Sequence, residues 1–149
     1  MKLFLVVMSA GIIGMTACSK QNETSNTPLN ETIDTMMGGT GSPVPMLIYE
    51  GMFIRGPHGT VTGTAKIFVQ SSQYTLAFEN MAISNGPDLH VYLSKEVQPI
   101  HFIDLGKLKS TSGNQLYDIP GAPNLMEYKY ALVHCQQYDH LFGSAELKK

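Results

Sequence analysis

The stretch Tyr130-Ala-Leu-Val-His-Cys-Gln-Gln-Tyr-Asp-His-Leu-Phe-Gly-Ser-Ala-Glu-Leu147 predicts the element that closes the fold. Its first and last parts are rich in apolar residues, and a short polar turn separates them. This pattern is typical of a β-hairpin made of two strands. Cys135 lies near the end of the first predicted strand. We expect the other strands of the chain to form the scaffold that holds this hairpin and its thiol.

Apolar and polar residues alternate in several further runs upstream of the hairpin. The clearest runs are Val61–Gln70, residues 74–79 and Leu89–Ser94, and each pattern is that of a half-buried strand. Turn-forming residues separate the runs at residues 55–59, 71–73, 84–87, 110–114 and 120–123. A short helical turn is predicted around residues 124–128. The sequence therefore predicts an all-β fold, a single antiparallel β-sandwich or small barrel of about eight short strands.

Residues 1–17 have the features of an export signal. Lys2 is followed by an apolar run from residue 3 to residue 15, which is shorter than the ~20 apolar residues needed to span a bilayer. Small residues then precede Cys18, as in the lipobox of bacterial lipoproteins. In that class the cysteine becomes the new N-terminus and carries acyl chains such as palmitate, so Cys18 is the predicted lipidation site. The alternative is an ordinary secretory signal in which Cys18 is incidental.

Residues 18–45 are predicted to be a flexible tether between the lipidated Cys18 and a domain at residues 46–149. The segment is poor in hydrophobic residues and rich in Ser, Thr, Asn, Gly and Pro. Such a segment buries too little apolar surface to offset the entropy lost on ordering. We therefore expect deletion of residues 22–40 to leave the thermal stability of the domain nearly unchanged. The predicted localisation is extracytoplasmic, lipid-anchored to the bacterial envelope at its periplasmic or outer-membrane face.

The composition bears on the class of partner and of chemistry. The net charge is -2, charged residues make up 15% of the chain, and no basic run occurs, so nucleic acid is not a predicted partner. The sequence has no Gly-rich phosphate loop, no HExxH and no recognisable Ser-His-Asp order. Hydrolase and kinase chemistry therefore have no support, and a role other than that of an enzyme is favoured.

Cys135 is the candidate redox residue. Once Cys18 is acylated, Cys135 has no partner for an intramolecular disulfide. A lone thiol in an oxidising compartment is a liability unless it is buried, bound or used. Four interpretations stay open: a small hydrophobe in the core, a thiolate or thiyl centre, a ligand for a cofactor of unknown identity, and an intermolecular disulfide.

The combination of Cys and His in a β-rich chain raises the possibility of a copper site, because blue-copper proteins bind the metal through Cys, two His and a weak Met. The histidines of the chain are His58, His90, His101, His134 and His140. No Met follows Cys135, and His134 is expected to point to the opposite face of the sheet from Cys135. No metal site is therefore predicted, and surface or turn roles are favoured for these histidines. Asn85-Gly-Pro-Asp88 is likewise interpreted as a turn.

Several blocks of the sequence, in order, resemble the DM-thirteen domain, an electron-transfer domain that accompanies DOMON domains and also occurs alone in bacterial lipoproteins. The blocks are Gly51-Met-Phe53, His58-Gly59, Gly63-Thr-Ala65, Asn85-Gly-Pro-Asp-Leu-His-Val-Tyr-Leu-Ser94, Leu105-Gly-Lys-Leu108, Gly113-Asn-Gln-Leu-Tyr117, Pro120, Val133-His-Cys135, Phe142-Gly143 and Ala145. The resemblance covers residues 47–147 and implies an all-β fold with a cysteine that serves redox chemistry. His134 departs from the family, which often has Trp at this position. The resemblance implies no particular substrate.

These features predict an envelope-anchored lipoprotein with a redox or electron-transfer role centred on Cys135 and a redox partner protein in the envelope. The alternative is a non-catalytic binding or adhesion module in which Cys135 packs in the core. We expect the Cys135 side chain, at a strand end, to be half buried and still reachable, so that labelling of the native thiol distinguishes the two. Cys135→Ser is expected to preserve the fold at a cost of at most ~1–2 kcal/mol.

Overall fold

The computed structural model describes residues 23–33 and 43–149, and these residues form nine β-strands. The strands are β1 (Leu29–Asn30), β2 (Met46–Arg55), β3 (Val61–Gln70), β4 (Gln73–Ile83), β5 (Leu89–Ser94), β6 (Phe102–Lys107), β7 (Ser112–Ile119), β8 (Tyr130–Cys135) and β9 (His140–Glu146). The predicted all-β fold is confirmed, with nine strands against the predicted eight or so. The predicted export signal, residues 1–17, and Cys18 lie outside the described residues. Within the described ranges, no helix has the length and apolar character needed to cross a bilayer.

All nine strands belong to one sheet, which curls into a half-barrel, with the order β1-β7-β4-β3-β2-β9-β8-β5-β6. Neighbouring strands pair antiparallel, except that β1 pairs parallel to β7. The long strand β2 joins the two halves of the sheet. Its first part pairs with β3, and its last three residues, Phe53 to Arg55, pair with β9. The predicted hairpin of residues 130–147 is therefore present as β8 and β9.

The main core fills the concave side of the half-barrel. Its members come from alternate positions of the strands, as the period-two patterns predict, and include Ala65, Ile67, Leu76, Phe78, Val91, Leu93, Ala131 and Val133. A second, smaller cluster of Tyr92, Leu132 and Leu141 lies on the convex side. All six residues of β5 are buried, as are five of the six in β8. The strand that carries Cys135 is thus covered on both faces.

Two of the predicted turns are found in the structure, one of them shortened. Residues 124–128 form a hydrogen-bonded turn, in which the Asn124 carbonyl oxygen accepts bonds from the amides of Glu127 and Tyr128 at 2.9 and 3.2 Å. The predicted turn at residues 110–114 is shorter in the structure, because β7 already begins at Ser112. Pairing with strands on both sides holds these turn-forming residues in the sheet.

Residues 23–33, which we call the strap, pack on the domain and differ in this from the predicted flexible tether. The Thr111 amide donates a hydrogen bond to the Ser25 carbonyl oxygen at 2.8 Å. The Ser110 hydroxyl donates to the Thr27 carbonyl oxygen at 2.6 Å. Strand β1 then continues along the open edge of β7. Backbone hydrogen bonds to an open strand edge require no apolar side chains, so the composition of the strap gave no sign of them.

Glu31 fixes the far end of the strap. Its Oε2 accepts hydrogen bonds from Lys109 Nζ at 2.8 Å and from the Leu116 amide at 2.7 Å. The bond from Lys109 is the main reason that the pKa of Glu31 lies below its usual value. The strap is therefore held by hydrogen bonds at Ser25 and Thr27, by the short strand β1, and by the ion pair of Glu31 with Lys109.

Gly113 gives a test of the strap. It has a φ of +95°, and a Cβ there would lie 2.0 Å from the carbonyl oxygen of Leu29 in β1. Gly106 has a similar φ of +105°, but a Cβ there would meet nothing within 4 Å. Both Ala substitutions carry the backbone cost of a positive φ, and only Gly113→Ala also displaces the strap. We expect Gly113→Ala to lower the melting temperature several degrees further than Gly106→Ala.

Deletion of the strap supplies the control for this comparison. In a protein that lacks residues 23–33, the two Ala substitutions are expected to have similar effects, because the clash is gone. Deletion by itself should lower the melting temperature by several degrees. If deletion of the strap leaves the melting temperature unchanged, residues 23–33 are a free tether as predicted from the sequence. If Gly113→Ala and Gly106→Ala have equal effects in the full chain, the strap does not stabilise the domain.

Candidate functional site

Two loops and a hairpin turn meet at one end of the half-barrel, which we call the loop end. Strand β2 finishes here at Arg55, β4 at Ile83, and β8 at Cys135, opposite Leu89 at the start of β5. Turn signals in the sequence already marked two of these connections. The loop end consists of residues 56–60, residues 84–88 and the β8–β9 turn at residues 136–139.

Backbone hydrogen bonds hold these three segments together. The Ser84 amide donates to the Thr60 carbonyl oxygen at 3.0 Å, and the Thr60 amide donates to Ser84 Oγ at 3.1 Å. The Gln136 amide donates to the Asp88 carbonyl oxygen at 2.9 Å. The segment at 85–88 is a turn, as predicted, with Asn85 Oδ1 accepting from the Gly86 amide at 2.9 Å. The loop end is thus a connected unit.

Phe142 supports the two loops from below. A Cβ at Gly59 would lie 2.5 Å from its Cδ1, and a Cβ at Gly86 would lie 2.9 Å from its Cζ. Both glycines therefore sit directly against the buried ring. The pairing of β8 with β9 shifts register between Val133 and His134, next to this residue. A β-bulge of this kind redirects a side chain, which accounts for the position of Phe142 on the core side of the sheet.

Cys135 lies beneath the loop end, in the main core, and only 1% of the residue is exposed. The expectation of a half-buried, reachable thiol is therefore wrong. The reason is that Cys135 faces the main core and packs there with residues from distant strands. The hydrogen bond from the Gln136 amide to the Asp88 carbonyl oxygen also holds the loop at residues 84–88 at the end of this strand. In the described part of the chain, Cys135 is the one free cysteine.

Two histidines connect the position of Cys135 with the surface. His140 is the register partner of Cys135 across the hairpin, so the two side chains are on the same face. Directly opposite residues of an antiparallel pair typically have Cβ atoms about 4.5–5.5 Å apart. The His140 ring stacks on the His58 ring, with centroids 3.7 Å apart and an angle of 2° between the planes. His140 is half-buried and His58 is exposed. Strand register and ring stacking thus place Cys135, His140 and His58 in a row of increasing exposure.

His134 lies on the convex face, away from Cys135, as strand alternation predicts. It is 3% exposed, and its ring stacks on Tyr92, which in turn stacks on Phe102, with centroid distances of 5.5 and 4.2 Å. Its Nε2 is 3.3 Å from Asp139 Oδ1, yet the geometry is not that of a hydrogen bond. Neither ring nitrogen has a hydrogen-bond partner among the described residues.

Burial lowers the pKa of His134 from its usual value, and the neighbouring Asp139 only partly opposes this. The unfolded chain takes up a proton on this residue below about pH 6.5, whereas the folded protein resists it. The free energy of unfolding should therefore fall as the pH drops through 6.5, by at most about 1.4 kcal/mol per pH unit for this one group.

His134→Phe is expected to make the stability less dependent on pH. The Phe ring keeps the stacking on Tyr92 and removes the titrating nitrogens. The measurement is urea denaturation at pH 7 and pH 5 for the wild type and the variant. His58→Phe is the matched control, since His58 is exposed and a Phe ring keeps its stacking on His140. If His134→Phe loses as much stability as the wild type between the two pH values, His134 does not titrate as proposed.

The remaining polar residues of the convex face surround His90. Its Nδ1 is 2.9 Å from Asp104 Oδ2, and its Nε2 is 3.6 Å from Asp88 Oδ1. Burial, followed by the charge of Asp104, raises the pKa of the nearby Tyr92. Across residues 23–33 and 43–149, no group of three or more His, Cys, Asp or Glu side chains is arranged to hold a metal ion.

The contribution of Phe142 to the loop end was not predicted from the sequence. Only the block Phe142-Gly143 near the hairpin gave a signal for it.

The fold and the site define a curled β domain that buries one thiol beneath a rim carrying two stacked histidines. Residues 52–147 match the family Electron transfer DM13. The chain belongs to this family, which indicates an electron-transfer or redox role for the domain. No curated protein and no solved structure gives a significant match.

Proposed function

We propose that this chain is an envelope-anchored lipoprotein whose β domain transfers single electrons through Cys135. The family supports the class of chemistry, and the lipobox-like residues before Cys18 support the anchor. The observation that carries the proposal is the row of Cys135, His140 and His58, which runs from the buried thiol to an exposed ring.

The burial of Cys135 favours electron transfer over thiol–disulfide exchange. Exchange requires a thiolate to attack a disulfide sulfur and to pass through a mixed disulfide. A sulfur in a residue that is 1% exposed does not reach a partner's disulfide while the loop end is closed. An electron, in contrast, moves between centres that are not in contact.

The proposed redox cycle consists of one oxidation step and one return step. The Cys135 thiol gives one electron to a high-potential one-electron acceptor on a partner protein and its proton to the imidazole of His140, and a thiyl radical remains. In the return step the thiyl takes one electron from a reduced donor and the proton from His140. The stacked His58 ring then offers the surface at which the partner binds.

A non-catalytic binding module is the second candidate, and one observation favours it. Cys135 belongs to the main core cluster, where a thiol packs as a small hydrophobe. Labelling of the native thiol does not separate the candidates, because burial blocks the reagent under both. A redox measurement separates them, since only the electron-transfer protein gives up an electron that depends on Cys135.

The anchor has its own test. Cys18→Ala is expected to release the protein from the membrane or to leave it unprocessed, because the acceptor of the acyl chains is gone. Each acyl CH₂ that is buried contributes about 0.8 kcal/mol, so several chains hold the wild type firmly. Detergent partitioning of both proteins from the native host is the measurement. A wild type that stays in the aqueous phase like the variant would end the lipoprotein part of the proposal.

A further inference from the structure

The direction of the strap places its start at the loop end. Strand β1 runs parallel to β7, with Leu29 opposite Gly113 and Asn30 opposite Asn114. Strand β7 begins near the loop end, where Ser112 pairs with Ala82, one residue before the last residue of β4. Two parallel strands share their direction, so the chain enters the described domain at the loop end and runs away from it.

The first residues of the strap lie close to Cys135. Glu23 and Thr24 line a cavity of about 230 Å³ together with Leu89 and the neighbouring Leu108. The Leu108 amide donates to the Leu89 carbonyl oxygen at 2.8 Å, and Leu89 is the register partner of Cys135. Neighbouring strands are about 4.8 Å apart, so only a few strand spacings separate the start of the strap from the thiol.

The strap is also bonded to the loops at this end. Ser25 accepts from the Thr111 amide at 2.8 Å, and the Thr111 carbonyl oxygen accepts from the Ile83 amide at 2.9 Å. Ile83 is followed by Ser84, whose amide donates to the Thr60 carbonyl oxygen at 3.0 Å. A continuous path of hydrogen bonds therefore links the strap to both loops of the loop end.

The length of chain before the strap limits how far the domain can stand from its anchor. Glu23 is five residues after Cys18. Five extended residues span at most about 18 Å. The free tether predicted for residues 18–45 would give a much longer reach and no fixed orientation, whereas the docked strap leaves only the four residues 19–22 between the anchor and the domain.

We propose that the loop end faces the membrane in which the acyl chains of Cys18 are inserted, and that the redox partner of Cys135 is held in that same membrane. The inference rests on the anchoring and the electron-transfer role proposed above. The β5–β6 connection at residues 95–101 lies at the other end of the sheet, because Ser94 pairs with Phe102 there. This end faces the aqueous compartment.

The orientation is tested with the full lipidated protein in nanodiscs that contain a headgroup-labelled paramagnetic lipid. Amide signals of residues 84–86, 88 and 136–139 are expected to broaden severalfold more than those of residues 97, 98, 100 and 101, since Pro87 and Pro99 have no amide proton. Equal broadening, or stronger broadening of residues 97–101, would overturn the inference. The amide signals of the Cys135→Ala variant should broaden in the same pattern as those of the wild type, because this measurement does not involve redox chemistry.

A pair of insertions tests the role of the strap. A 20-residue Gly-Ser insertion between Asn22 and Glu23 lengthens the connection to the anchor, while the same insertion between Gly38 and Gly39 does not. Only the first is expected to abolish the difference in broadening. An equal effect of the two insertions would mean that the strap does not set the orientation, and the inference would fall.

The location of the partner is tested with a lipid-tethered tris(bipyridyl)ruthenium(III) in the same nanodiscs. The protein with the wild-type sequence is expected to reduce this oxidant rapidly. The insertion between Asn22 and Glu23 is expected to slow the reduction at least tenfold, and the insertion between Gly38 and Gly39 is expected to leave the rate unchanged. Equal rates would overturn the membrane-held partner. The loop end could broaden more than the other end while the reduction of the oxidant does not depend on Cys135. This result would refute the proposed electron transfer and the proposed redox partner, but the proposed orientation would stand. A wild type that does not float with the nanodiscs would refute the anchor and the inference with it.

Discussion

Phe142→Ala is expected to lower the free energy of unfolding by about 3–5 kcal/mol, the usual range for removing a buried Phe ring. The ring is 7% exposed, and it lies against both Gly59 and Gly86. Its loss leaves a cavity where the two loops meet, and neither glycine has a side chain that could fill it. We expect the loops at residues 56–60 and 84–88 to separate from the hairpin and Cys135 to gain exposure.

The measurement combines urea denaturation with iodoacetamide labelling of Cys135 in the native state. Tyr138→Ala is the matched control, because this aromatic residue of the adjoining turn is 55% exposed. It is expected to cost less than about 1 kcal/mol, as surface substitutions usually do, and to leave the thiol unlabelled. A cost below about 1 kcal/mol for Phe142→Ala would show that the ring does not support the loop end.

Cys135→Ala is expected to abolish one-electron oxidation of the domain while it keeps the fold. Alanine introduces no polar group into the core, whereas Cys135→Ser places a hydroxyl at a site that is 1% exposed. An unpaired buried hydroxyl costs about 1–3 kcal/mol by protein mutational data, so the cost of Ser is expected to reach as much as about 3 kcal/mol, against the at most ~1–2 kcal/mol predicted for a reachable thiol. The Ala variant is therefore the cleaner test of the redox role.

His140→Phe is the partner variant for this test. It keeps an aromatic ring next to His58 and removes the group proposed to take the proton of the thiol. Oxidation of Cys135 is expected to slow at least tenfold and to lose its solvent isotope effect. A rate and isotope effect equal to those of the wild type would remove His140 from the proton path but leave Cys135 as the redox centre.

Much of the fold could be predicted because it depends on alternation along single strands. Val61–Gln70 and Leu89–Ser94 are strands in the structure as the period-two pattern predicts. The placement of His134 and Cys135 on opposite faces follows from the same alternation. These features are local, so a few consecutive residues are enough to predict them.

What could not be predicted depends on segments that are distant in the chain. Cys135 is buried because it belongs to the main core, whose other members, such as Phe78 and Leu89, come from strands that lie more than forty residues away in the sequence. The stacking of His58 on His140 likewise joins two ends of the domain. The strap binds through backbone groups of β7, and these groups are the same for every residue type except Pro. The composition of the strap therefore led to the prediction that it is part of the flexible tether.

The most direct test of the proposed redox centre is flash oxidation of the full protein by tris(bipyridyl)ruthenium(III), followed by absorbance at neutral pH. The wild type is predicted to reduce the oxidant in a fast phase of one electron per protein, and Cys135→Ala is predicted to lack this phase. A fast phase of the same amplitude and rate in the Ala variant would contradict the role of Cys135, and the domain would then be a binding module with the thiol as part of its core.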